Sequence, residues 1–263
     1  MANVHAAAIV DAAAELDEDV EVGPWTRIGA GVRVGAGTRI GPHVELAGRT
    51  TIGRNNRIFP FCSLGTEPQD KKYAGEETEL VIGDRNTIRE YCLFNTGTVQ
   101  GGGVTRIGSD NWIMGYAHVA HDCDLGDHII VANGVQIAGH VTVGDWAIIG
   151  GTSAVHQFVR VGAYSMCGGG SILLQDLPPY VLCNGNPARP HGIHVEFLRR
   201  RNTEPEVIAE LRRAYRILYR DNLPLQQARE AIEEQIREAP PTCVAALREF
   251  ADFIAIPGRG LAR

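Results

Sequence analysis

Counting in sixes from Val4, the chain places Val10, Leu16, Val22, Ile28, Val34, Ile40, Leu46, Ile52, Ile58 and Leu64 in one unbroken apolar series. The series resumes at Ile82, Ile88 and Phe94. It runs again from Ile107 through Ile113, Val119, Leu125, Val131, Ile137, Val143, Ile149, Val155, Val161 and Cys167 to Leu173. All 26 positions are apolar in a chain whose apolar content is 44%, so composition alone does not produce the pattern. A period of six does not follow one face of a helix, whose turns recur every 3.6 residues. It fits short strands, each with one large inward residue and a corner. Three such strands close a triangular coil of about 18 residues, and stacked coils lie about 4.8 Å apart, as neighbouring strands do.

The flanking residues agree. Glycine follows the inward residue in 13 of the 26 repeats, as at Gly23, Gly29, Gly35 and Gly41. The residue two before it is usually small or Asn, as at Thr26, Thr38, Asn56, Asn86, Asn111 and Ser153. Small residues fit the corners, and glycine or asparagine tolerates the backbone angles there. Cys62, Cys92 and Cys123 fall on the small inward position and Cys167 on the large one, which points to packing rather than catalysis.

Two interruptions break the series. Continued in sixes, the segment after Leu64 would bury Asp70 and Glu76, so the chain is expected to leave the coil near 66–80. A second excursion is expected near 95–106, around GTVQGGG. Loops on a rigid scaffold are common carriers of function. After Leu173 a Pro- and Gly-marked exit leads to helical patterning. The expected division is a β-helix over 1–180 and a helical domain over 181–263. Thr203 and Glu206, with Pro205 between them, read as a capping box. Apolar faces follow at Val207, Leu211, Tyr215 and Leu218, then Leu225, Ala228, Ile232 and Ile236, then Val244, Leu247 and Phe250.

Several classes are disfavoured. A net charge of −6 argues against general nucleic-acid binding. No apolar stretch is long enough to suggest a transmembrane helix, and the N-terminus does not read as a signal peptide. Six cysteines without a C-x-x-C pair suggest the reducing cytoplasm. Residues 199 to 220 hold seven arginines against three glutamates, which suggests an anionic partner or simply a solvated helix face.

The most distinctive chemical segment is AHVAHDCDLGD, residues 117 to 127. Val119 points inward, so His118 should point outward, with His121 at the next corner and His140 and His156 on later coils. Zinc sites of the carbonic-anhydrase branch of this fold use histidines five apart. No two histidines here have that spacing and no cysteine cluster replaces them, so no metal is expected. Histidines exposed on a polar surface can also carry no function; a histidine near neutral pKa suits general-base catalysis, and the developing oxyanion needs a placed N–H. Gly139 lies one coil after His121, so its backbone should stack beside that imidazole with no side chain in the way.

The repeat resembles the hexapeptide-repeat transferases, whose coil is left-handed. HVAHDCDLGD, LVIGDRNTIRE, GTVQGGG, QIAGHVTVGDWAIIGG, AVHQF and QDLPPYV resemble the family of acyl-[acyl-carrier-protein]–UDP-N-acetylglucosamine O-acyltransferases, the first enzymes of lipid A synthesis. The resemblance spans essentially the whole chain. It implies His121 as general base, Gly139 as oxyanion donor and Asp122 as a holder of His121, although strand alternation argues against Asp122 in that role. It implies Asp70 and Lys72 at the sugar, and His118, His140, His156 and Gln157 in the substrate groove. His194, Glu196, Arg200 and Arg201 then hold the nucleotide and carrier arm, and Gly169 sets acyl length, leaving room for a long 3-hydroxyacyl chain. It also implies a homotrimer, an acyl carrier protein partner, UDP-N-acetylglucosamine as acceptor, and no cofactor beyond the 4'-phosphopantetheine of the donor.

One departure is Asn95-Thr96-Gly97-Thr98, where the family usually has His-Arg-Gly-Thr. It raises the expectation that a 3-amino sugar is accepted as well as the 3-hydroxyl form. The rivals are a same-fold acyltransferase with another acceptor or an acetyl-CoA donor, and a non-catalytic β-helix binding module. The later N-acyltransferase of lipid A synthesis carries an extra N-terminal domain, whereas the repeats here begin at Val4.

Overall fold

The computed structural model describes residues 1–256 and 258–263. Three sheets of eleven, nine and eight strands wrap around one core. Most strands are two residues long, such as Glu21–Val22 and Arg27–Ile28. Each pairs in parallel with the strand one coil on: Val22 with Ile40, Val119 with Ile137, Ile149 with Cys167. The chain is a left-handed parallel β-helix. At the two excursions the register widens, so that Ile58 pairs with Ile88 and Ile88 with Ile113.

From Val22 onward every residue of the inward series is at most 3% exposed. Val4, Val10 and Leu16 are less covered, because the first coil has no coil beneath it. At the corners the backbone turns its polar groups inward, where an unpaired group is costly. Asparagines at one corner answer this. Asn56 Nδ2 donates to the Gly83 carbonyl, while Asn56 Oδ1 accepts from the Asn86 N–H. Asn86 and Asn111 repeat the arrangement on the next coils. Cys62, Cys92 and Cys123 are buried, and each thiol donates to a carbonyl of the next coil.

The corner glycines serve a different purpose from the one their type suggests. A Cβ on Gly23 would lie 2.7 Å from Pro42 N, so the residue is small because the next coil passes close by. The left-handed backbone positions are held largely by other residues, many of them aromatic: Trp25, Phe61, Tyr91, Tyr116, Trp146, Phe158 and Tyr164 all have positive φ. Such a conformation costs an L-residue about 1–2 kcal/mol. Stacking offsets it. Trp25, His43, Phe61, Tyr91 and Tyr116 form one column with ring centroids 4.7 to 5.1 Å apart.

Strand pairing continues past the expected boundary at 180. Val181–Gly185 pairs in parallel with Met166–Cys167 and in antiparallel with Ala188–Ile193. The helices begin only at Val195: α1 (Val195–Arg200), α2 (Pro205–Tyr219), α3 (Leu225–Glu238) and α4 (Pro241–Ala255). The capping box does not form, because α2 starts after Glu204 and no side chain caps it. Leu225 opens α3 and is 38% exposed, whereas Ala228, Ile232 and Ile236 are buried as expected. The buried Asp176 receives the Arg160 N–H at 2.9 Å and its guanidinium at 2.8 Å, and the Ala262 N–H reaches the Asp176 carbonyl. The C-terminal tail is thereby fastened to the coil.

Candidate active site at one corner of the coil

Both excursions leave the coil between the second and third sheets, and the predicted catalytic residues occupy the same corner on the coils above. His121 and Asp122 occupy the tight turn that joins strand His118–Val119 to strand Asp124–Leu125. Asp122 has φ 59°. That left-handed turn swings its side chain back beside its neighbour, and His121 Nδ1 lies 2.8 Å from Asp122 Oδ2. Alternation along a strand, which would point the two apart, does not apply at a corner.

The Asp122 carboxylate is fully buried and well supplied with donors. The Thr98 N–H donates to Oδ1 at 2.8 Å and the Thr98 hydroxyl to Oδ2 at 2.6 Å. Thr98 belongs to the second excursion and caps the short 3-10 turn Val99–Gly101. Thr105 Oγ1 accepts the Asp122 N–H. A carboxylate that only accepts leaves the His121 proton on Nδ1 and the Nε2 lone pair free. His121 keeps 15% of its side chain exposed, enough to meet a substrate.

Gly139 stacks on His121 as the repeat implies. A Cβ there would lie 2.6 Å from His121 Cε1 and 2.8 Å from Nε2. The Gly139 N–H donates to no group among the described residues, whereas the neighbouring Ala138 and His140 N–H groups are both paired across coils. A free N–H beside a free imidazole nitrogen can serve an attacking hydroxyl and a developing oxyanion together.

His140 completes the cluster. Its ring stacks on Phe158 at 4.3 Å and meets His121 edge-on at 5.0 Å. Burial lowers its pKa, opposed by the Asp122 charge and, more weakly, by Asp70. Asp70, in the first excursion, therefore lies within electrostatic reach of the site. Asp70 Oδ1 also accepts the Lys72 N–H, and Lys72 is exposed. His118 Nε2 lies 3.0 Å from Asn95 Oδ1, and burial lowers the pKa of His118. Asn95 is 1% exposed and donates through Nδ2 to the Glu67 carbonyl at 2.8 Å. It links the first excursion to His118. His156 Nδ1 lies 3.2 Å from the Gln157 carbonyl, one coil above Gly139.

His121, Asp122 and His140 bring three possible metal-ligating atoms within 4.8 Å of one another. Histidine spacing gave no sign of this, because the two imidazoles sit one coil and one residue apart in sequence. Asp122 already receives three hydrogen bonds, two from Thr98 and one from His121.

The remaining candidates lie elsewhere in the chain. His194 stands just before α1 without capping it through its side chain, stacks on Phe197 and is pushed down in pKa by burial. Glu196 pairs with Arg199. The Arg201 guanidinium covers Trp146 at 3.2 Å, and Trp146 stacks between His128 and Tyr164 at the corner joining the third and first sheets. Arg200, the last residue of α1, bears on His194 through its charge. Gly169 sits at the third corner, where a Cβ would meet only Gly151 O, at 3.3 Å, and Gly151 N, at 3.7 Å. One chain does not bring these groups to His121. The sequence marks Asn95 and Thr98 only through the Asn-Thr-Gly-Thr departure in the second excursion and gives no sign of the contacts they make with His118 and Asp122, or of Thr105.

A hexapeptide coil with an Asp-supported histidine at one corner and a helical C-terminal end defines a hexapeptide-repeat acyltransferase. Residues 105–139 match the family model of bacterial transferase hexapeptide repeats, and residues 176–262 match that of the second domain of UDP N-acetylglucosamine O-acyltransferase. An acyl-[acyl-carrier-protein]–UDP-N-acetylglucosamine O-acyltransferase from Verminephrobacter eiseniae is 49% identical over 218 residues, 83% of each chain. A solved LpxA structure from Acinetobacter baumannii is 45% identical with a TM-score of 0.94, and that of UDP-N-acetylglucosamine O-acyltransferase (LpxA) from Moraxella catarrhalis is 41% identical with 0.95, each alignment covering 99% of both chains. The chain belongs to the acyl-[acyl-carrier-protein]–UDP-N-acetylglucosamine O-acyltransferase family.

Proposed function

We propose that the protein transfers a long 3-hydroxyacyl chain from acyl carrier protein to the 3-hydroxyl of UDP-N-acetylglucosamine, the first step of lipid A synthesis, with His121 as general base. The observation that carries the mechanism is the His121–Asp122 contact of 2.8 Å beside the unpaired Gly139 N–H. His121 Nε2 takes the proton of the sugar hydroxyl as its oxygen attacks the thioester carbonyl. The Gly139 N–H receives the oxyanion. Collapse of the intermediate expels the carrier thiolate, which takes the proton back from His121, giving the ester and a free thiol. The buried Asp122 favours the transient imidazolium. No resident cofactor enters this sequence, since the 4'-phosphopantetheine arrives on the donor.

A homotrimer would complete the groove. His194, Glu196, Arg200 and Arg201 lie at another corner of the same chain, so a neighbouring copy would present them to His121. A stripe on the first sheet supports such packing. The outward column Trp112, Ile130, Ile148, Met166 and Leu182 is apolar, whereas earlier coils present Glu21, Arg39 and Arg57 there. Trp112 is 44% exposed in the single chain. Gly169 would border the acyl path, and a bulky residue there would favour shorter chains. No helix among the described residues is long and apolar enough to cross a membrane.

Asn95 favours a second reading, acceptance of a 3-amino sugar, since it supplies a neutral amide where the family usually has an imidazole. Equal turnover of both acceptors supports it, and no turnover of the amino sugar ends it. The primary test uses purified protein, UDP-N-acetylglucosamine and 3-hydroxyacyl carrier proteins of several lengths, beside a His121→Ala variant. Transfer by the wild type and near-complete loss in the variant are expected. No transfer by the wild type means the substrate pair is wrong, and an active variant removes His121 as base.

A further inference from the structure

A second concave site lies away from the histidine corner. Strand Ala188–Ile193, the C-terminal end of α2 and the chain's last residues enclose a cavity of about 490 Å³. Arg189, His191, Arg220 and Arg263 line it, together with Tyr215 and Tyr219. Elsewhere in the helical region Arg199, Arg213, Arg237 and Arg248 pair with glutamates, whereas Arg212, Arg216 and Arg229 do not among the described residues. Arg189, Arg220 and Arg263 form no ion pair among the described residues. A cation at a helix C-terminus is favoured by the helix dipole, which accounts for Arg220. It does not account for Arg189, which stands on a strand.

The floor supplies an independent observation. The hydroxyls of Tyr215 and Tyr219 are both buried without a hydrogen-bond partner, and Tyr215 is only 7% exposed. Buried hydroxyls left unpaired are uncommon in folded proteins. Arg220 and Arg263 bear on these phenols through their charge, opposing the upward pKa shift that burial imposes. Three guanidinium groups free of ion pairs, with Arg220 lying against the Tyr215 phenol, line a site that seeks an anion.

We propose that this cavity binds a small, freely diffusing phosphorylated anion, held by Arg189 and Arg220. Its volume suits a small molecule and is too small for a partner helix. The site is separate from the nucleotide-binding role proposed for Arg200 and Arg201.

The test is calorimetric titration of the full chain with inorganic pyrophosphate, in saturating UDP-N-acetylglucosamine to fill the nucleotide site. Wild type should still bind. Arg189→Ala/Arg220→Ala should weaken binding at least tenfold and Arg189→Lys/Arg220→Lys should retain part of it, with circular dichroism unchanged throughout. Absence of binding with the nucleotide sugar present overturns the proposal, as does undiminished binding by the folded double alanine variant. Sedimentation with anionic phospholipid vesicles should show no capture. Capture abolished by the double alanine variant would assign the site to a lipid headgroup and overturn the small-ligand proposal.

Discussion

Gly139→Ala isolates the geometry on which the proposed chemistry depends. The position has no positive φ, so alanine brings no backbone penalty. Its Cβ, however, would stand 2.6 Å from His121 Cε1, 2.8 Å from Nε2 and 3.1 Å from Nδ1. Carbon–carbon contact is comfortable at about 3.5–4.0 Å, so the imidazole must retreat by about 1 Å. That movement strains the 2.8 Å contact with Asp122 and carries Nε2 away from the acceptor oxygen. A displacement of about 1 Å in a reacting group costs about 10²-fold in rate. The expected result is a kcat lowered about 100-fold, equivalent to about 2.7 kcal/mol, with KM for the nucleotide sugar changed far less. The assay is steady-state acyl transfer from 3-hydroxyacyl carrier protein, accompanied by a thermal melt. Near-wild-type kcat in a folded variant would refute the argument, because it would mean that the imidazole position is not rate-determining.

Asp122→Asn should lower kcat by about 10²–10⁴-fold, since an amide does not stabilise the imidazolium and disturbs the two hydrogen bonds from Thr98; a loss below threefold would count against the dyad. Exhaustive EDTA treatment should leave the rate unchanged, because the Asp122 oxygens are already occupied by Thr98 and His121; activity lost to the chelator and restored by zinc would reverse that reading. His118, His140 and His194 all have pKa values lowered by burial, so the unfolded chain binds protons more readily than the native one. Their contribution to stability is therefore present above about pH 6.5 and is lost as pH falls through the lower folded values. Urea midpoints measured from pH 7.5 down to pH 5 should decline, less steeply when all three are replaced by glutamine.

The inward series was legible in the sequence because a coil repeats every turn, so one residue per strand meets one environment throughout. Val22 to Leu173 follow that rule without exception. The relation of Gly139 to His121 was legible for the same reason, being a property of period alone. Helix faces were readable as well, with the first residue of α3 excepted, since a terminal residue is not covered by the next turn.

Other features depended on where the chain departs from its period. The left-handed turn at Asp122 brings its carboxylate to His121, and alternation along a strand had argued the opposite. Thr98 reaches Asp122 from an excursion whose path no repeat prescribes, and Asn95 joins two excursions through a single amide. The capping box failed because α2 begins one residue later than its pattern suggested. The sequence by itself determined the coil, its core and the neighbours one turn apart, because those follow from local alternation and periodicity. Tertiary structure decided which polar groups meet across corners and loops, because such contacts depend on backbone angles and long-range packing that a periodic pattern does not encode.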